Sequence, residues 1–517
     1  MKELVYHRFL LPVVERLPAK SAVLDGEYSA TYEQHLDRVL RLGNALRSAG
    51  VGPGDRFAVM ALNGHEFLEL YHASLLTGAV INPLNLRLAP KELEFILSDS
   101  GCKVCFADGF FGASIDAVRS GSGLEQVVLI GTGDIPHDAA YEELVASGEP
   151  VMPPEPDEDD PGILMYTGGT TGLPKGVLLD QRALMLDLYK VTTRWIMNED
   201  YVYLHQTPMF HAASLGAILA LPAIGGTTVS VPIFSPEPVI DAIERYRVTM
   251  TVMVPTMVAM MLDAASFDAE RLRSLTILTY GASPMPGALL ERLLATLPEI
   301  DVYQGYGMTE NCGLLTCLGP EEHRRGGDRL ASAGRPMPGS VVCIQDEDGH
   351  ILAAGQTGEV CARAGNYMRE YWNRPEETAS AFRGGWYHTG DAGYMDAEGY
   401  VYLVDRVKDM IVTGGENVYS AEVENALSSH PAVAQVAVIG IPSDQWGEAV
   451  HAIVVKREGS EVTEDELREW ARARIAGYKV PKSIHFRTEP LPLSGAMKIL
   501  KRDLRAPYWA GQDRAVQ

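Results

Sequence analysis

The 517-residue sequence predicts an α/β protein built from one large and one small domain. Over most of its length, short apolar segments alternate with longer amphipathic ones, which is the pattern of a mostly parallel sheet with helices on both faces. Between residues 330 and 404 the pattern changes to short β segments with frequent glycine, and helix signals then resume. A chain of this length also exceeds what one hydrophobic core usually holds.

The alternating pattern occupies the first 160 residues and residues 201–305. Apolar residues at helical spacing predict helices over 31–50, 65–80, 236–247 and 286–297. Short apolar runs predict strands over 56–62, 103–108, 227–232, 249–254 and 276–280. The proline-rich and acidic stretch 149–162 predicts a surface linker between the two parts.

Two smaller units are predicted after residue 330. Residues 330–404 predict an antiparallel or barrel-like β unit. The elements expected beyond it are a helix over 420–430 with Ser420 as its cap, strands over 433–441 and 450–455, and a helix over 463–475. We therefore expect a large N-terminal domain, residues 1–407, with two mostly parallel helix-flanked sheets plus a small β-barrel-like unit, followed by a small α+β C-terminal domain, residues 408–517.

Charge and composition limit the partners. The net charge of −24 disfavours nucleic acid and anionic membrane surfaces, which bind basic proteins. The N-terminus lacks an uninterrupted apolar core, and the apolar stretch 212–226 is broken by glycine and proline, so we expect a buried helix and strand there and no membrane span. The six scattered cysteines fit buried thiols in a reducing cytoplasm. A homodimer is compatible with these features.

The sequence YTGGTTGLPKGV, residues 166–177, predicts a phosphate-binding loop. Glycines let several backbone N–H groups point into one concavity, the threonines add hydroxyl donors, and Lys175 adds a positive charge for a polyphosphate. The loop is not a Walker-type P-loop, because Pro174 precedes Lys175 and Gly176 follows it.

This loop resembles the phosphate-binding signature of the AMP-forming adenylating superfamily, which includes acyl-CoA synthetases, adenylation domains and beetle luciferases. Four further stretches are similar to the motifs of that superfamily, in its order: QGYGMTE (304–310), WYHTGD (386–391), DRVKDMIVTGGENVYSAEVE (405–424) and PLSGAMKILKRDLR (492–505). The resemblance implies ATP, Mg²⁺ and coenzyme A as cofactors and a small-molecule carboxylic acid as substrate. The acid would form acyl-AMP and then a thioester.

The resemblance also assigns the nucleotide site. The residues implied to bind ATP or AMP are Thr167, Gly168, Gly169, Thr170, Thr171, Gly172, Lys175, Gly281, Ala282, Ser283, Gly305, Tyr306, Gly307, Met308, Thr309, Asp391 and Arg406. Tyr306 offers a flat face to the adenine ring, and Asp391 offers a carboxylate to the ribose hydroxyls. Thr170 and Glu310 are the implied Mg²⁺ ligands, since Mg²⁺ prefers oxygen donors.

Catalysis is assigned to Lys498, Glu310 and His211. Lys498 would stabilise charge that develops as pyrophosphate leaves. Because the thiol step needs that lysine out of the way, the C-terminal domain is expected to be mobile and to rotate about the hinge Lys408. The implied coenzyme A channel is formed by Gly414, Gly415 and Glu416.

The acyl pocket is expected along residues 208–221. Its implied residues are His211, Ala212, Ser214 and Gly313. Small residues are expected to make the cavity wide, namely Ala212, Ala213, Gly216, Gly281 and Gly313. The segment contains no aspartate that could pair with a substrate ammonium, so we expect an uncharged fatty, aromatic or polycyclic acid.

Two departures from the family pattern leave alternatives open. Gly169 stands where the family usually has serine or threonine, and Met497 stands where it usually has glycine. Either change could bias the enzyme toward the thioester-forming half-reaction. A free-standing adenylation enzyme that loads a carrier protein is a second interpretation, and a nucleotide-binding regulatory protein without chemistry is a third.

Overall fold

The computed structural model describes residues 3–133, 135–167, 174–283, 285–406, 410–413, 416–443, 445–495 and 497–510. For residues 405, 406, 416 and 417 it describes the backbone alone. Within these ranges, no helix combines the length and the apolar character that crossing a membrane would require.

The helices and strands follow the predicted alternation closely. The α-helices of the described residues are α1 (His7–Arg16), α2 (Tyr32–Ser48), α3 (His65–Thr77), α4 (Pro90–Ser100), α5 (Gly112–Ser122), α6 (Tyr141–Ser147), α7 (Gln181–Arg194), α8 (Ala212–Ile224), α9 (Pro236–Tyr246), α10 (Pro255–Asp263), α11 (Gly287–Thr296), α12 (Pro320–Arg325), α13 (Pro375–Ala381), α14 (Ser420–Ser428), α15 (Glu464–Arg472) and α16 (Lys501–Arg505). The strands are β1 (Ser21–Asp25), β2 (Tyr28–Thr31), β3 (Arg56–Met60), β4 (Val80–Pro83), β5 (Val104–Asp108), β6 (Gln126–Ile130), β7 (Ala139–Ala140), β8 (Pro161–Thr167), β9 (Lys175–Asp180), β10 (Val202–His205), β11 (Thr227–Ser230), β12 (Met250–Met253), β13 (Ile277–Gly281), β14 (Asp301–Tyr306), β15 (Thr316–Leu318), β16 (Arg335–Pro336), β17 (Val341–Gln345), β18 (Gly358–Arg363), β19 (Glu370–Tyr371), β20 (Tyr387–Met395), β21 (Val401–Arg406), β22 (Ile411–Thr413), β23 (Glu416–Val418), β24 (Val433–Ser443), β25 (Gly447–Lys456) and β26 (Ser483–Arg487).

The two large sheets are mostly parallel, as predicted. One has nine strands in the order β16-β15-β14-β13-β12-β10-β11-β1-β2, and the other has eight in the order β19-β9-β8-β4-β3-β5-β6-β7. Antiparallel pairs occur only toward the ends of each described sheet, for example β14 with β15 and β8 with β9. Parallel strands covered on both faces require nearly continuous apolar sequence, and Phe57, Ala58 and Val59 of β3 are all fully buried.

Helix α3 is buried on nearly its whole circumference, including the acidic residue Glu69. The Glu69 carboxylate is satisfied by Arg38, whose Nε lies 2.7 Å away, and by the Tyr141 hydroxyl, which donates to it at 2.7 Å. A buried charge is tolerated only when it is paired and hydrogen-bonded in this way. All six cysteines are buried free thiols, in agreement with the expectation from the sequence.

The two smaller units differ from the prediction in detail. Strands β17, β18, β20 and β21 pair in a linear antiparallel order, so the expected barrel-like unit is a four-stranded sheet. The last sheet has the order β23-β22-β25-β24, with β26 on β25. Helix α14 begins at Ser420, but Tyr419 occupies the cap position. The hydroxyl of Ser420 instead accepts a hydrogen bond from Lys501 Nζ at 2.6 Å. The domain boundary at 407/408 stays a prediction, since residues 407–409 lie outside the described ranges.

We predict that Gly334→Ala destabilises the protein far more than Gly349→Ala. Both glycines have a φ of +83°, but a Cβ atom on Gly334 would lie 2.1 Å from the Cys317 carbonyl oxygen, whereas one on Gly349 would meet nothing within 4 Å. The left-handed conformation alone costs alanine about 1–2 kcal/mol. The thermal midpoints of both variants measure the difference, and equal midpoints would contradict the predicted clash.

Candidate active site

One cleft of about 2380 Å³ brings most of the predicted site residues together. Strands β8, β13 and β14 end at this cleft, at the edge of an α/β sheet where ligands commonly bind. The predicted residues on its wall are Thr167, Lys175, His211, Ala212, Gly281, Ala282, Ser283, Gly305, Tyr306, Gly307, Met308, Thr309, Glu310, Gly313, Asp391 and Lys498. Segments far apart in sequence therefore meet around one space.

For the other predicted residues, apart from Ser214, the structure describes either the backbone alone or nothing. Those that lie outside the described residues are Gly168, Gly169, Thr170, Thr171, Gly172, Lys408, Gly414 and Gly415. The backbone of Arg406 lies opposite Asp391 in the antiparallel pair of β20 and β21. The backbone of Glu416 pairs with Thr413 across β22 and β23. The side-chain roles of Arg406 and Glu416 stay predictions.

Several glycines of the cleft wall lie so close to neighbouring main chains that no side chain would fit in their place. A Cβ atom on Gly281 would lie 2.3 Å from the Gly305 carbonyl oxygen of the adjacent strand, and one on Gly307 would lie 2.3 Å from the Gly313 carbonyl oxygen. A Cβ atom on Gly313 would lie 2.7 Å from the Ala212 carbonyl oxygen. Contacts this short are forbidden, so these glycines permit close packing. Gly281 and Gly313 also line the cleft, and the expectation that small residues make the cavity wide stays a prediction.

Tyr306 and Asp391, which were predicted to bind adenine and ribose, are hydrogen-bonded to each other. The Tyr306 hydroxyl donates to Asp391 Oδ2 at 2.5 Å. Burial raises the pKa of Tyr306 well above its usual value, with the Asp391 carboxylate as a second cause, so the phenol stays a neutral donor. The backbone N–H of Asp391 donates to Thr389 Oγ1 at 3.1 Å. These bonds hold the Asp391 carboxylate in one orientation at the cleft wall.

Tyr371 joins Glu310 to the lysine of the phosphate loop. The Tyr371 hydroxyl donates to Glu310 Oε1 at 2.8 Å, and Lys175 Nζ lies 5.2 Å from the centre of the Tyr371 ring. Lys175 also forms an ion pair with Glu377 of α13. The sequence analysis missed Tyr371 and Glu377, because both lie outside the motifs and reach the site only through the pairing of β19 with β9.

The oxygen donors near Glu310 fit a Mg²⁺ ion. Thr309 and Glu310 are neighbours in a short 3₁₀ turn, Thr309–Asn311, and both line the cleft. A hydroxyl and a carboxylate are hard oxygen donors, and Mg²⁺ takes few protein ligands beside waters and phosphate oxygens. The other predicted ligand, Thr170, lies beyond the described part of the loop.

Lys498 stands on a tight hairpin, of which residues 493–495 and 497–499 are described and which we call the lysine hairpin. Leu493 and Ile499 form an antiparallel bridge at its base. The Ser494 N–H donates to the Lys498 carbonyl at 2.7 Å, and the Lys498 N–H donates to Ser494 Oγ at 3.1 Å. The backbone beside Lys498 is therefore held by hydrogen bonds within the hairpin itself.

The lysine hairpin contacts the large N-terminal part of the chain through its main-chain carbonyls. Arg87 Nη1 donates to the Leu493 carbonyl at 2.9 Å, and Thr256 Oγ1 donates to the Met497 carbonyl at 3.2 Å. These two bonds bind the hairpin backbone, and Arg87 Nη2 also donates to the Met497 side chain, with Sδ at 3.9 Å. They hold Lys498 in the cleft in this structure.

The tip of the lysine hairpin packs tightly. A Cβ atom on Gly495 would lie 2.1 Å from Asn85 Oδ1 and 3.0 Å from Phe210 Cζ, so only glycine fits without movement. Met497 has a φ of 61°, a left-handed conformation that costs a non-glycine residue about 1–2 kcal/mol. Its side chain packs against the core cluster that contains Met253 and Leu278. The packing of Met497 offsets part of its backbone strain.

His211 lies close to Lys498 and is neutral. Burial lowers the pKa of His211 to about 3, and the positive charge of Lys498 adds to that effect. The Nδ1 atom of His211 accepts a hydrogen bond from the Ala213 N–H at 3.1 Å and so caps helix α8. A neutral imidazole leaves Lys498 as the cationic group at this point of the cleft.

The structure corrects the prediction that Ser214 lines the acyl pocket. Its side chain is fully buried, and its hydroxyl donates to the carbonyls of Thr207 and Pro208 at 3.1 Å each. Ser214 is not among the described residues that line the cleft. Its role here is to join α8 to the preceding loop, since a buried hydroxyl needs hydrogen-bond partners.

The apolar part of the cleft lies between helices α7 and α8 and the nine-stranded sheet. The residues that line it there include Val191, Trp195, Tyr203, Gly216, Met250 and Val252. Asp187 of α7 also lines the cleft, although the segment 208–221 contains no aspartate. The sequence signal for it was an acidic residue on the buried face of α7, beside Leu184 and Leu188.

Comparisons with known proteins agree with this geometry. The family model described as AMP-binding enzyme matches residues 12–372, and the model described as AMP-binding enzyme C-terminal domain matches residues 422–498. A feruloyl-CoA synthase from Amycolatopsis sp. is 39% identical over 95% of this chain and 96% of its own length. The fatty acid–[acyl-carrier-protein] ligase ScoC of Streptomyces coeruleorubidus is 35% identical over 96% of this chain and 95% of its own length.

Solved structures show the same fold. ATP-bound MatB from Rhodopseudomonas palustris has a TM-score of 0.89 at 28% identity and covers 99% of both chains. The apo structure of MatB from the same organism has a TM-score of 0.77 at the same identity, over 98% of this chain and 99% of its own. The present structure is therefore more similar to the ATP-bound form of MatB than to its apo form.

We predict that Tyr371→Phe weakens MgATP binding about tenfold, which corresponds to about 1.4 kcal/mol. The variant removes the hydrogen bond to Glu310 and keeps the ring beside Lys175. Isothermal titration with MgATP measures the change. Tyr367→Phe is the matched control, because the buried Tyr367 hydroxyl has no hydrogen-bond partner among the described residues. Equal affinities of the two variants would contradict a role for Tyr371.

Proposed function

Because the chain belongs to the AMP-binding enzyme family and is an AMP-forming acid–thiol ligase with acyl-CoA ligase activity that uses ATP, Mg²⁺ and coenzyme A, we propose that its substrate is an uncharged fatty, aromatic or polycyclic carboxylic acid. We also propose that its C-terminal domain alternates between two positions, one for each half-reaction. The observation that carries the proposal is the position of Lys498 in the same cleft as Lys175, Glu310 and Asp391.

In the first half-reaction the carboxylate oxygen of the acid attacks the α-phosphorus of ATP, and pyrophosphate leaves. Lys498 donates to the oxygens that gain negative charge in this step, which lowers the barrier because the donor is already in place. Lys175 and the loop that begins after Thr167 hold the phosphates, and Asp391 accepts from the ribose hydroxyls. Glu310 and, by prediction, Thr170 would hold Mg²⁺, which supplies positive charge to the phosphate oxygens.

In the second half-reaction the sulfur of coenzyme A attacks the acyl carbon, and AMP leaves with the electron pair of the broken C–O bond. The lysine hairpin occupies part of the cleft wall, so the thiol needs it to withdraw. We propose a rotation about Lys408 that brings Gly414, Gly415 and Glu416 to the thiol channel. The three side-chain hydrogen bonds from Arg87 and Thr256 are few enough to break in each cycle.

A carrier protein is the second candidate for the thiol. The observation that favours it is the 35% identity to ScoC, whose name describes loading of an acyl-carrier protein. Coenzyme A is favoured by the higher identity to a CoA synthase, 39%. Coenzyme A and a purified phosphopantetheinyl carrier protein can be offered as thiols in parallel, and AMP release with the carrier alone would favour the second candidate.

A panel of carboxylic acids, assayed separately for pyrophosphate and for AMP, tests the proposed function.

We predict that Lys498→Ala lowers ATP–pyrophosphate exchange by about a hundredfold or more, because it removes a charged donor to the transition state. Thioester formation from supplied acyl-AMP should survive. Equal loss of both half-reactions would contradict a specific role in adenylation. Lys501→Ala is the control lysine, as Lys501 donates to Ser420 Oγ.

We predict that Met497→Gly exchanges pyrophosphate about fivefold faster than Met497→Ala. Both variants lose the packing of the methionine side chain, but alanine keeps the strain of the left-handed backbone, about 1 kcal/mol. The strain opposes the hairpin conformation that places Lys498. Exchange rates at saturating acid measure the ratio, and identical rates would show that the strain at position 497 does not affect the first half-reaction.

A further inference from the structure

Asp187 has a buried carboxyl oxygen that the protein leaves unpaired. The residue is 1% exposed. Its Oδ1 atom accepts a hydrogen bond from Asn366 Nδ2 at 3.1 Å, whereas its Oδ2 atom has no hydrogen-bond partner among the described residues. Buried polar atoms are nearly always paired, because leaving one unpaired forfeits its hydration without replacement. The unpaired oxygen therefore indicates a partner that binds from outside the chain.

The unpaired oxygen lies at the acyl part of the cleft. Asp187 and Gly216 both line the cleft, and a Cβ atom on Gly216 would lie 3.8 Å from Asp187 Oδ2. Gly216 is five residues beyond His211 along α8, which at 1.5 Å per residue is about 7 Å from the reacting end of the cleft. This span is comparable to an aromatic ring with a short linker to its carboxylate.

The surroundings of Asp187 hold it in place and already include a cation. Lys190 Nζ donates to Asn366 Oδ1 at 2.6 Å and to Ser340 Oγ at 2.8 Å, so Asn366 bridges the lysine and the aspartate. Burial raises the pKa of Asp187 to about 7, and the positive charge of Lys190 opposes that shift. Because a cation is built into this cluster, a neutral hydrogen-bonding group fits Oδ2 better than a second ammonium.

The walls around this position suit a flat substituent. Trp195 is held by a hydrogen bond from its indole N–H to Thr279 Oγ1 at 3.1 Å, and it is 5% exposed. Tyr203 and Met250 line the same region. Rigid aromatic side chains and an adaptable thioether are suited to contact an aromatic ring.

We propose that Asp187 is a specificity-determining residue that accepts a hydrogen bond from a hydroxyl group at the far end of the acyl substrate, and that the substrate is a hydroxyaryl carboxylic acid. The inference rests on the proposed function, since it takes the acyl group to occupy this part of the cleft. It narrows the substrate from a fatty, aromatic or polycyclic acid to an aromatic acid that carries a hydroxyl group. Asp187 does not touch the reacting atoms, so its effect is on the choice of acid.

The test compares matched acids with the wild-type enzyme and two variants. The acids are 4-hydroxycinnamic acid, cinnamic acid and 4-aminocinnamic acid, with AMP release measured as kcat/KM. We expect the wild type to prefer the hydroxyl acid over cinnamic acid by about tenfold or more, because a site built to bind a hydroxyl rejects the analogue that lacks it. Asp187→Leu removes the acceptor and should abolish the preference. Asp187→Asn keeps a carbonyl for Asn366 and should reduce it.

The outcomes separate the inference from the function on which it rests. Equal use of the first two acids by the wild type, or a preference unchanged in Asp187→Asn, overturns the role of Asp187 while leaving the ligase function intact. A preference for 4-aminocinnamic acid over 4-hydroxycinnamic acid also overturns it, in favour of a neutral aryl amine as the donor, because an aniline nitrogen is not protonated at neutral pH. Absence of AMP and pyrophosphate release with all three acids overturns this inference, and absence of release across the wider panel of carboxylic acids would overturn the proposed function as well.

Discussion

The contact between the lysine hairpin and the large N-terminal part of the chain is the interaction on which the site depends. Arg87 and Thr256 bind carbonyl oxygens of the hairpin, and Gly495 fits against Asn85 with no room for a side chain. These contacts bring a lysine near the C-terminus into a cleft built almost entirely by earlier residues. Since these contacts are few, they are compatible with the withdrawal of the hairpin that we propose for the second half-reaction.

The cleft itself depends on how closely adjacent main chains approach. Gly281 and Gly305 face each other across β13 and β14, and Gly307 and Gly313 let the next turn fold back on the sheet. That packing places Tyr306 within hydrogen-bond distance of Asp391 on a different sheet. The same glycines line the cleft, so each combines close main-chain packing with a position on the cleft wall.

Met497 changes the interpretation of a departure from the family pattern. The sequence left open that a residue other than glycine at this position could bias the enzyme toward the thioester-forming half-reaction. In the structure Met497 adopts a left-handed backbone and packs against the large part of the chain. Strain opposes the docked hairpin and packing supports it, so the two effects of one side chain act in opposite directions, and no bias follows from the sequence difference alone.

The sequence by itself determined the alternation of helices and strands, the antiparallel unit after residue 330 and most of the motif residues that line the cleft. Those features depend on local periodicity and on residues close together in the chain. Only the tertiary structure decided which side chains complete the site. Asn366 binds Asp187 across 179 positions, Thr256 binds Met497 across 241, and Tyr371 binds Glu310 across 61. No local pattern encodes such pairs, because they form only when separate sheets and helices pack and each buried polar group must find a partner.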